Sequence, residues 1–337
     1  MADSSPHRSR PEVLAPIALF VYNRPEHARR TVQYLCANRL AQQSDLFVFA
    51  DAAKNKSAAT PVETVRKFIR TVDGFRCVTI VEREQNLGLA ASVIRGVTQV
   101  CDQFGRAIVM EDDLLTAPDF LTFMNSALQR YVDEPRVFSV SGFNHAVRAP
   151  RNYACDAFFT YRSSSWGWGT WKDRWAKADW NVSDYARFSL DKDMQRLFNR
   201  GGKDLSRMLE SQMAGKLDSW AIRWAYTHFR QNAVTLLPVE SRVYNIGLDG
   251  SGTHCRWVPL RQRHLVEATE AAYRYPDSLR PDPYFAAEIQ RVQRRSLVRK
   301  VVGYLRQIAP KRRHFDSNRA SLKEEARSAK EQLGTQR

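Results

Sequence analysis

Between residues 17 and 115, short apolar runs and amphipathic stretches alternate four times, which restricts the chain to few folds. IALFVY (17–22) reads as a strand stopped by Asn23-Arg24-Pro25. The stretch 26–40 reads as a helix with Ala28, Val32, Leu35 and Cys36 on one face. DLFVFADAA (45–53) is a second strand with Asp51 near its carboxyl end, followed by a helix over 61–72 opened by Thr60-Pro61. CVTIVER (77–83) and a helix over 89–104 make the third pair, and RAIVMEDDLL (106–115) the fourth strand. These strands are continuous apolar runs, the pattern of a parallel sheet covered on both faces. The expected class is α/β: a Rossmann-like, mostly parallel sheet with helices on both sides. Such sheets bind ligands beyond the carboxyl ends of their strands. Asn23-Arg24, Asp51 and Glu111-Asp112-Asp113 all stand at such ends.

The remainder is organised differently. A helix is expected over 119–132 and a strand over 137–142. Residues 153–180 turn aromatic and glycine-rich, with four of the eight tryptophans between 166 and 175. Residues 190–214 are polar with helical tendency, 219–230 form an amphipathic helix, and AVTLLPV adds a strand. NIGLDGSGTHC (245–255) is a glycine-rich loop. Nine basic residues and one acid, Glu288, fall between 285 and 315. The expected organisation is a disordered leader over 1–15 and a catalytic domain over 16–260, with a nucleotide-binding half (16–115) and an acceptor-side half (116–260). A basic helical appendage follows over 261–337.

Charge sets the class of partner. There are 52 Lys plus Arg against 36 Asp plus Glu, a formal charge of +16, which favours nucleotides, nucleic acid or an acidic membrane surface. Nucleic acid fits poorly: the aromatics are densest at 166–180 and the basic block lies at 291–313. The five cysteines form no CxxC pair, against a disulfide scaffold or a thiolate zinc site. No apolar run reaches the roughly 18 residues of a membrane span, and the first residues lack the apolar core of a signal peptide. The expectation is a cytoplasmic protein able to sit peripherally on the inner face of the membrane through 291–313. Residues 297–309 are read as an interfacial helix.

Three consecutive carboxylates after a hydrophobic strand repel one another and are most readily tolerated beside positive charge. Mn²⁺ or Mg²⁺ suits oxygen ligands and takes one or two carboxylates together with water and substrate phosphates. A solvated turn is the plain alternative.

The stretch AIVMEDDLLTAPDFLTFMNSAL resembles the metal-site segment of the GT-A glycosyltransferases, of the N-acetylglucosaminyltransferase I type and the bacterial family-2-like sugar transferases. The likeness runs upstream to YNRP and FADAA and downstream to FFTYRSSSWGWGTWKDRW, over roughly residues 15–257. It implies the GT-A fold and an inverting, metal-dependent transfer of sugar from a nucleoside-diphosphate donor, a UDP-sugar by preference. The acceptor would be a hydroxyl of a glycan or lipid-linked glycan. By position it implies Arg24 as a nucleotide or diphosphate contact, Asp51 as acceptor from the uracil ring, and Glu111 and Asp112 as contacts to base, ribose or sugar. Asp113 would be the metal ligand. Asn86, in Asn86-Leu87-Gly88, matches an element near the donor, and His254 matches a residue near the diphosphate or metal, although Cys255 replaces the family's glycine.

Displacement at a sugar carbon also needs a base for the acceptor hydroxyl. Asp218, before the aromatic helix, is the expected base, with a helix cap as its alternative role; Asp173 and Asp179 stand in reserve. Trp166, Trp168 and Trp171 either present indole faces to a sugar, Trp168 foremost, or belong to the core. The competing enzyme class is a nucleotidyltransferase, but IALFVYNRPEH carries neither glycine nor lysine for its phosphate loop.

Overall fold

The computed structural model describes residues 13–250, 265–269 and 271–292. The expected leader up to residue 12, the boundary near 260, His254 and the 297–309 helix lie outside the described residues.

The strand–helix series runs β1 (Ile17–Val21), α1 (Pro25–Cys36), β2 (Asp45–Ala50), α2 (Lys56–Ile69), β3 (Cys77–Glu82), α3 (Leu89–Phe104) and β4 (Arg106–Glu111). It continues with β5 (Leu114–Thr116), α4 (Phe120–Arg130), β6 (Val137–Ser141), β7 (Ala157–Thr160), β8 (Trp168–Trp171) and α5 (Lys172–Trp175). α6 (Tyr185–Leu190), α7 (Lys192–Phe198), α8 (Leu205–Met213), α9 (Trp220–Arg230), β9 (Val234–Pro238) and β10 (Val243–Asn245) complete it. Eight strands form one sheet in the order β3-β2-β1-β4-β8-β6-β9-β7. β8 runs against β4 and β6, and β7 runs against β9; the remaining pairings are parallel. The mixed α/β class expected from the sequence is therefore observed.

Alternation along β1 builds the two faces. Ile17, Leu19 and Val21 join the apolar residues of α1, α2 and α4. Ala18 and Phe20 join those of α3 together with Trp168, Trp175, Trp220 and Trp224. Gly96 in α3 is needed for this: a Cβ there would stand 2.6 Å from the Phe20 ring, so only glycine lets α3 lie this close to β1.

Two expected elements are corrected. α2 starts five residues before Pro61, because the Asn55 side chain caps it by accepting from the Ala58 amide at 3.1 Å. Pro61 lies inside the helix. The single strand read over 106–115 is two: β4 ends at Glu111, and β5 leaves the large sheet to pair antiparallel with β10. The break comes at Asp112-Asp113, whose carbonyls are taken by the Thr31 hydroxyl (2.8 Å) and the Ile246 amide (2.8 Å).

Past the glycine-rich loop, Tyr273, Tyr275 and Leu279 pack against the core shared with α4. Residues 283–292 are helical, and Phe285 stacks on Phe158 at 3.8 Å.

Candidate active site

The carboxyl end of β4 sits between β1 and β8 at the middle of the sheet, and its acids meet the turn after β1. The Arg24 guanidinium donates through Nη2 to Asp112 Oδ1 and lies 2.9 Å from Asp113 Oδ2. Asp112 is buried and also accepts from the Tyr22 amide at 3.3 Å. Burial pushes the Asp112 carboxyl up, Arg24 pulls it down and Asp113 pushes it up again. Burial likewise opposes the Arg24 charge, but Asp112 and Asp113 together raise its pKa well above the usual arginine value. Burial, then Asp113 and Asp112, push the Glu111 carboxyl up to about 8. The positive charge expected beside the triplet is thus present in the chain itself, as Arg24.

One atom of that guanidinium is left over. Arg24 Nη1 is buried with no hydrogen-bond partner among the described residues. A buried donor of this kind costs stability unless something accepts from it, and a phosphate oxygen is a suitable acceptor. The segment after β10 closes over the pair: Ile246 is held by the Asp113 carbonyl, and His27 Nε2 lies 3.2 Å from Asp249 Oδ2. Gly247 makes this possible. A Cβ there would stand 2.1 Å from Asp113 Oδ2 and 2.9 Å from Arg24 Nη1.

The residues fit a hard divalent cation in a limited way. Asp113 offers one carboxylate, and among the described residues no group of three His, Cys, Asp or Glu side chains converges to hold a metal. A Mg²⁺ or Mn²⁺ ion at Asp113 would draw its remaining oxygens from water and a diphosphate, a usual arrangement for these ions.

Asp51 is placed at the end of β2 as expected, but its carboxylate is occupied. Oδ1 accepts from the amides of Ala52 and Leu87, both at 2.9 Å. Oδ2 accepts from the Gly88 amide at 3.0 Å and from Asn86 Nδ2 at 3.1 Å. Asn86 Nδ2 also donates to the Ala52 carbonyl at 2.7 Å. Asp51 therefore anchors the turn leading into α3, and the Asn86 amide is held with its oxygen directed away from these acceptors. Arg66 reinforces this end by donating to the carbonyls of Arg83 (2.5 Å) and Asp51 (3.4 Å).

On the other side of β4 the aromatics are mostly core. Trp168 is fully buried against Trp175, Trp220 and Trp224, with centroids 5.0 to 6.2 Å away. An indole so enclosed has no face to offer a sugar, which corrects the reading of Trp168 as a donor contact. Trp171 is buried too, and its Nε1 donates to the Leu128 carbonyl at 3.2 Å. Trp166 alone of the three is partly exposed; its ring meets Phe143 at 4.5 Å, and Phe143 meets His145 at 5.1 Å. Of this trio only Trp166 was singled out in the sequence. The segment carrying Phe143 and His145 is tied down by Asn144, whose amide donates to the carbonyls of Val147, Pro238 and Val239, and Ala146 there has φ +59°.

Asp218 precedes α9. Trp220, at the start of that helix, stacks on Trp168, and Trp168 pairs with Val109 and Ser141 near the carboxyl ends of β4 and β6. The first turn of α9 therefore lies on the same edge of the sheet as the acid triplet. The Asp218 side chain is 68% exposed and 3.2 Å from Arg223 Nη2. It does not cap the helix; Ser219 does, accepting from the Ile222 amide at 3.3 Å. Asp173 pairs with Arg174, and Asp179 accepts from the amides of Asn181 and Ser183.

No protein-family model matches the chain. Among curated proteins it is similar to the alpha-1,3-mannosyl-glycoprotein 2-beta-N-acetylglucosaminyltransferase of Arabidopsis thaliana, 25% identical over 190 residues. The match covers 50% of this chain and 41% of that protein, so the chain spans less than half of the relative's length. Among solved structures it is similar to the mannosyltransferase PcManGT of Pyrobaculum calidifontis, in complex with GDP-Man and Mn²⁺ (16% identity, 49% of this chain and 48% of that one, TM-score 0.32). It is also similar to S. aureus TarS 1–349 (9%, 68% and 60%, TM-score 0.37) and to apo mouse xyloside xylosyltransferase 1 (9%, 65% and 82%, TM-score 0.33). Superpositions this loose carry no argument. The curated relative bears out the resemblance to glycosyltransferases read from the sequence.

Proposed function

We propose that the chain is a glycosyltransferase that takes a nucleoside-diphospho-sugar at the carboxyl edge of β1–β4 and transfers its sugar to a hydroxyl of a glycan or lipid-linked glycan, with inversion. The observation that carries this reading is the Arg24–Asp112–Asp113 cluster, built on buried Asp112, with its unpartnered Arg24 Nη1. It offers a cation for phosphate oxygens beside a carboxylate for a metal ion. The similarity to a sugar transferase supports the same reading.

In this mechanism Arg24 pairs with the diphosphate, and Asp113 would hold a Mn²⁺ or Mg²⁺ ion. Such an ion, when bound, stabilises the negative charge on the departing diphosphate. Asp112 keeps Arg24 in place. The turn anchored by Asp51, with the Asn86 amide oxygen, receives the base, uracil by preference. The acceptor oxygen attacks the anomeric carbon as the bond from that carbon to the phosphate oxygen breaks, and Asp218 takes the hydroxyl proton. Exposure leaves the Asp218 carboxylate accessible to an acceptor entering from solvent.

The test is incubation of the purified chain with a panel of nucleotide-sugars and Mn²⁺, reading nucleoside diphosphate release and the anomeric configuration of the product. Diphosphate release with inversion is expected. Pyrophosphate release from nucleoside triphosphates with sugar phosphates, and none of diphosphate from nucleotide-sugars, would instead establish a nucleotidyltransferase.

A further inference from the structure

α6 and α7 present aliphatic side chains to solvent on a rigid mount. Leu190, the last residue of α6, is 84% exposed, and Leu197 in α7 is 48% exposed. Single exposed leucines are ordinary, but these two lie seven residues apart on consecutive short helices. Their placement is not loose. The Asp191 side chain caps α7 by accepting from the amides of Asp193 and Met194, both at 2.9 Å. Gln195 Nε2 donates back to the last carbonyls of α6, Phe188 at 3.2 Å and Ser189 at 2.8 Å. Beneath, Phe188 and Phe198 are buried against Tyr226 and Phe229 of α9. The inward residues are thus satisfied by α9, and the two leucines are held outward.

Charge identifies the occupant. From 187 to 203 the chain has five basic residues, Arg187, Lys192, Arg196, Arg200 and Lys203, against two acids, Asp191 and Asp193. All five basic residues are exposed. Of the acids, Asp191 is engaged as a helix cap and Asp193 pairs with Arg196. Aliphatic side chains flanked by cations on a helical surface match the boundary of an anionic bilayer, where leucines enter the acyl region and basic side chains meet phosphates.

We infer that α6 and α7 form a docking surface for anionic phospholipid membranes, with Leu190 and Leu197 inserting and the surrounding cations meeting lipid headgroups. This inference stands apart from the basic segment at 291–313 and does not depend on the transferase reading.

The experiment is vesicle co-sedimentation of the full chain on phosphatidylcholine with and without phosphatidylglycerol. The wild type is compared with Leu190→Ser/Leu197→Ser and Lys192→Glu/Arg196→Glu. The wild type is expected to bind the anionic vesicles alone and to be released by salt. Each double variant should bind at least about tenfold more weakly, while the melting temperature falls by only a few degrees because Leu190, Lys192 and Arg196 are exposed and Leu197 is half-exposed. Wild-type binding retained by both variants would overturn the proposal and move any lipid affinity elsewhere in the chain. Absence of wild-type binding would also overturn it. So would a wild-type dimer in sedimentation that the leucine variant abolishes, because the occupant would then be a second copy.

Discussion

The end of β4 and the start of β8 lie at the same rim of the sheet but use their characteristic residues in opposite ways. At β4 the side chains that a sequence marks as reactive are wholly or partly buried and tied: Asp112 to Arg24 and Tyr22, Asp113 to Arg24, with Gly247 pressed against Asp113 and Arg24. At β8 Trp168 and Trp171, which suggest a sugar platform, are buried as core, and Asp218, ahead of the helix that packs on Trp168, is exposed. The difference teaches that residue type marks an edge of the sheet but not which side chains reach it. A charge brought into the interior needs a partner, and that need fixes its geometry. An indole brought into the interior needs neighbours and an acceptor for its N–H, which Trp171 finds in the Leu128 carbonyl and Trp168 does not find among the described residues.

The largest expected effect lies on the buried side. Arg24→Gln leaves Asp112 buried and unpaired, so unfolding free energy should fall by about 3–5 kcal/mol, as measured by denaturant titration. The loss should shrink at acid pH, where Asp112 can take a proton; a loss unchanged by pH would mean that Arg24 acts through packing. On the aromatic side, Trp168→Ala should cost about 3–5 kcal/mol as a cavity. A sugar-facing ring would show the reverse: unchanged stability and a raised KM for the nucleotide-sugar donor.

Asp218→Asn separates base from scaffold. Ser219 caps the helix, so stability should hold within about 0.5 kcal/mol, while kcat falls roughly 10²- to 10⁴-fold with donor affinity intact. Unchanged kcat would remove Asp218 from the mechanism. The smallest effect is expected for Gly247→Ala. Its new Cβ must displace the Arg24-paired Asp113 carboxylate or the loop itself, so stability should fall by about 1 kcal/mol. A shift of Asp113 and Arg24 should also lower turnover by up to about 10²-fold. Full activity would show that the close approach of this loop serves packing alone.

Much of the sheet was legible because its strands are continuous apolar runs and its helices carry a clear period; α3 coincides with its expected span, 89–104. The break between β4 and β5 was not legible. AIVM and LL read as one run, and the chain is turned out of the sheet by Thr31 and Ile246, which are remote in sequence. The early start of α2 hung on one capping side chain, Asn55, ahead of a proline that looked like a helix opening. Among site residues, the strand-end positions of Arg24, Asp51 and Asp113 followed from the pattern, but their contacts did not. The occupation of Asp51 by the 86–88 turn and the approach of Gly247 to Asp113 depend on loops folding back. Trp168 was misplaced because spacing among glycines says nothing about which indole faces inward.

The central claim is that the end of β4 holds a metal-bound diphosphate. Calorimetric titration of a nucleoside diphosphate into the wild type and Asp113→Asn, each with and without Mn²⁺, tests it most directly. The account predicts that Mn²⁺ tightens diphosphate binding to the wild type and leaves binding to Asp113→Asn unchanged, with both proteins melting alike. The same Mn²⁺-dependent gain in both would contradict it.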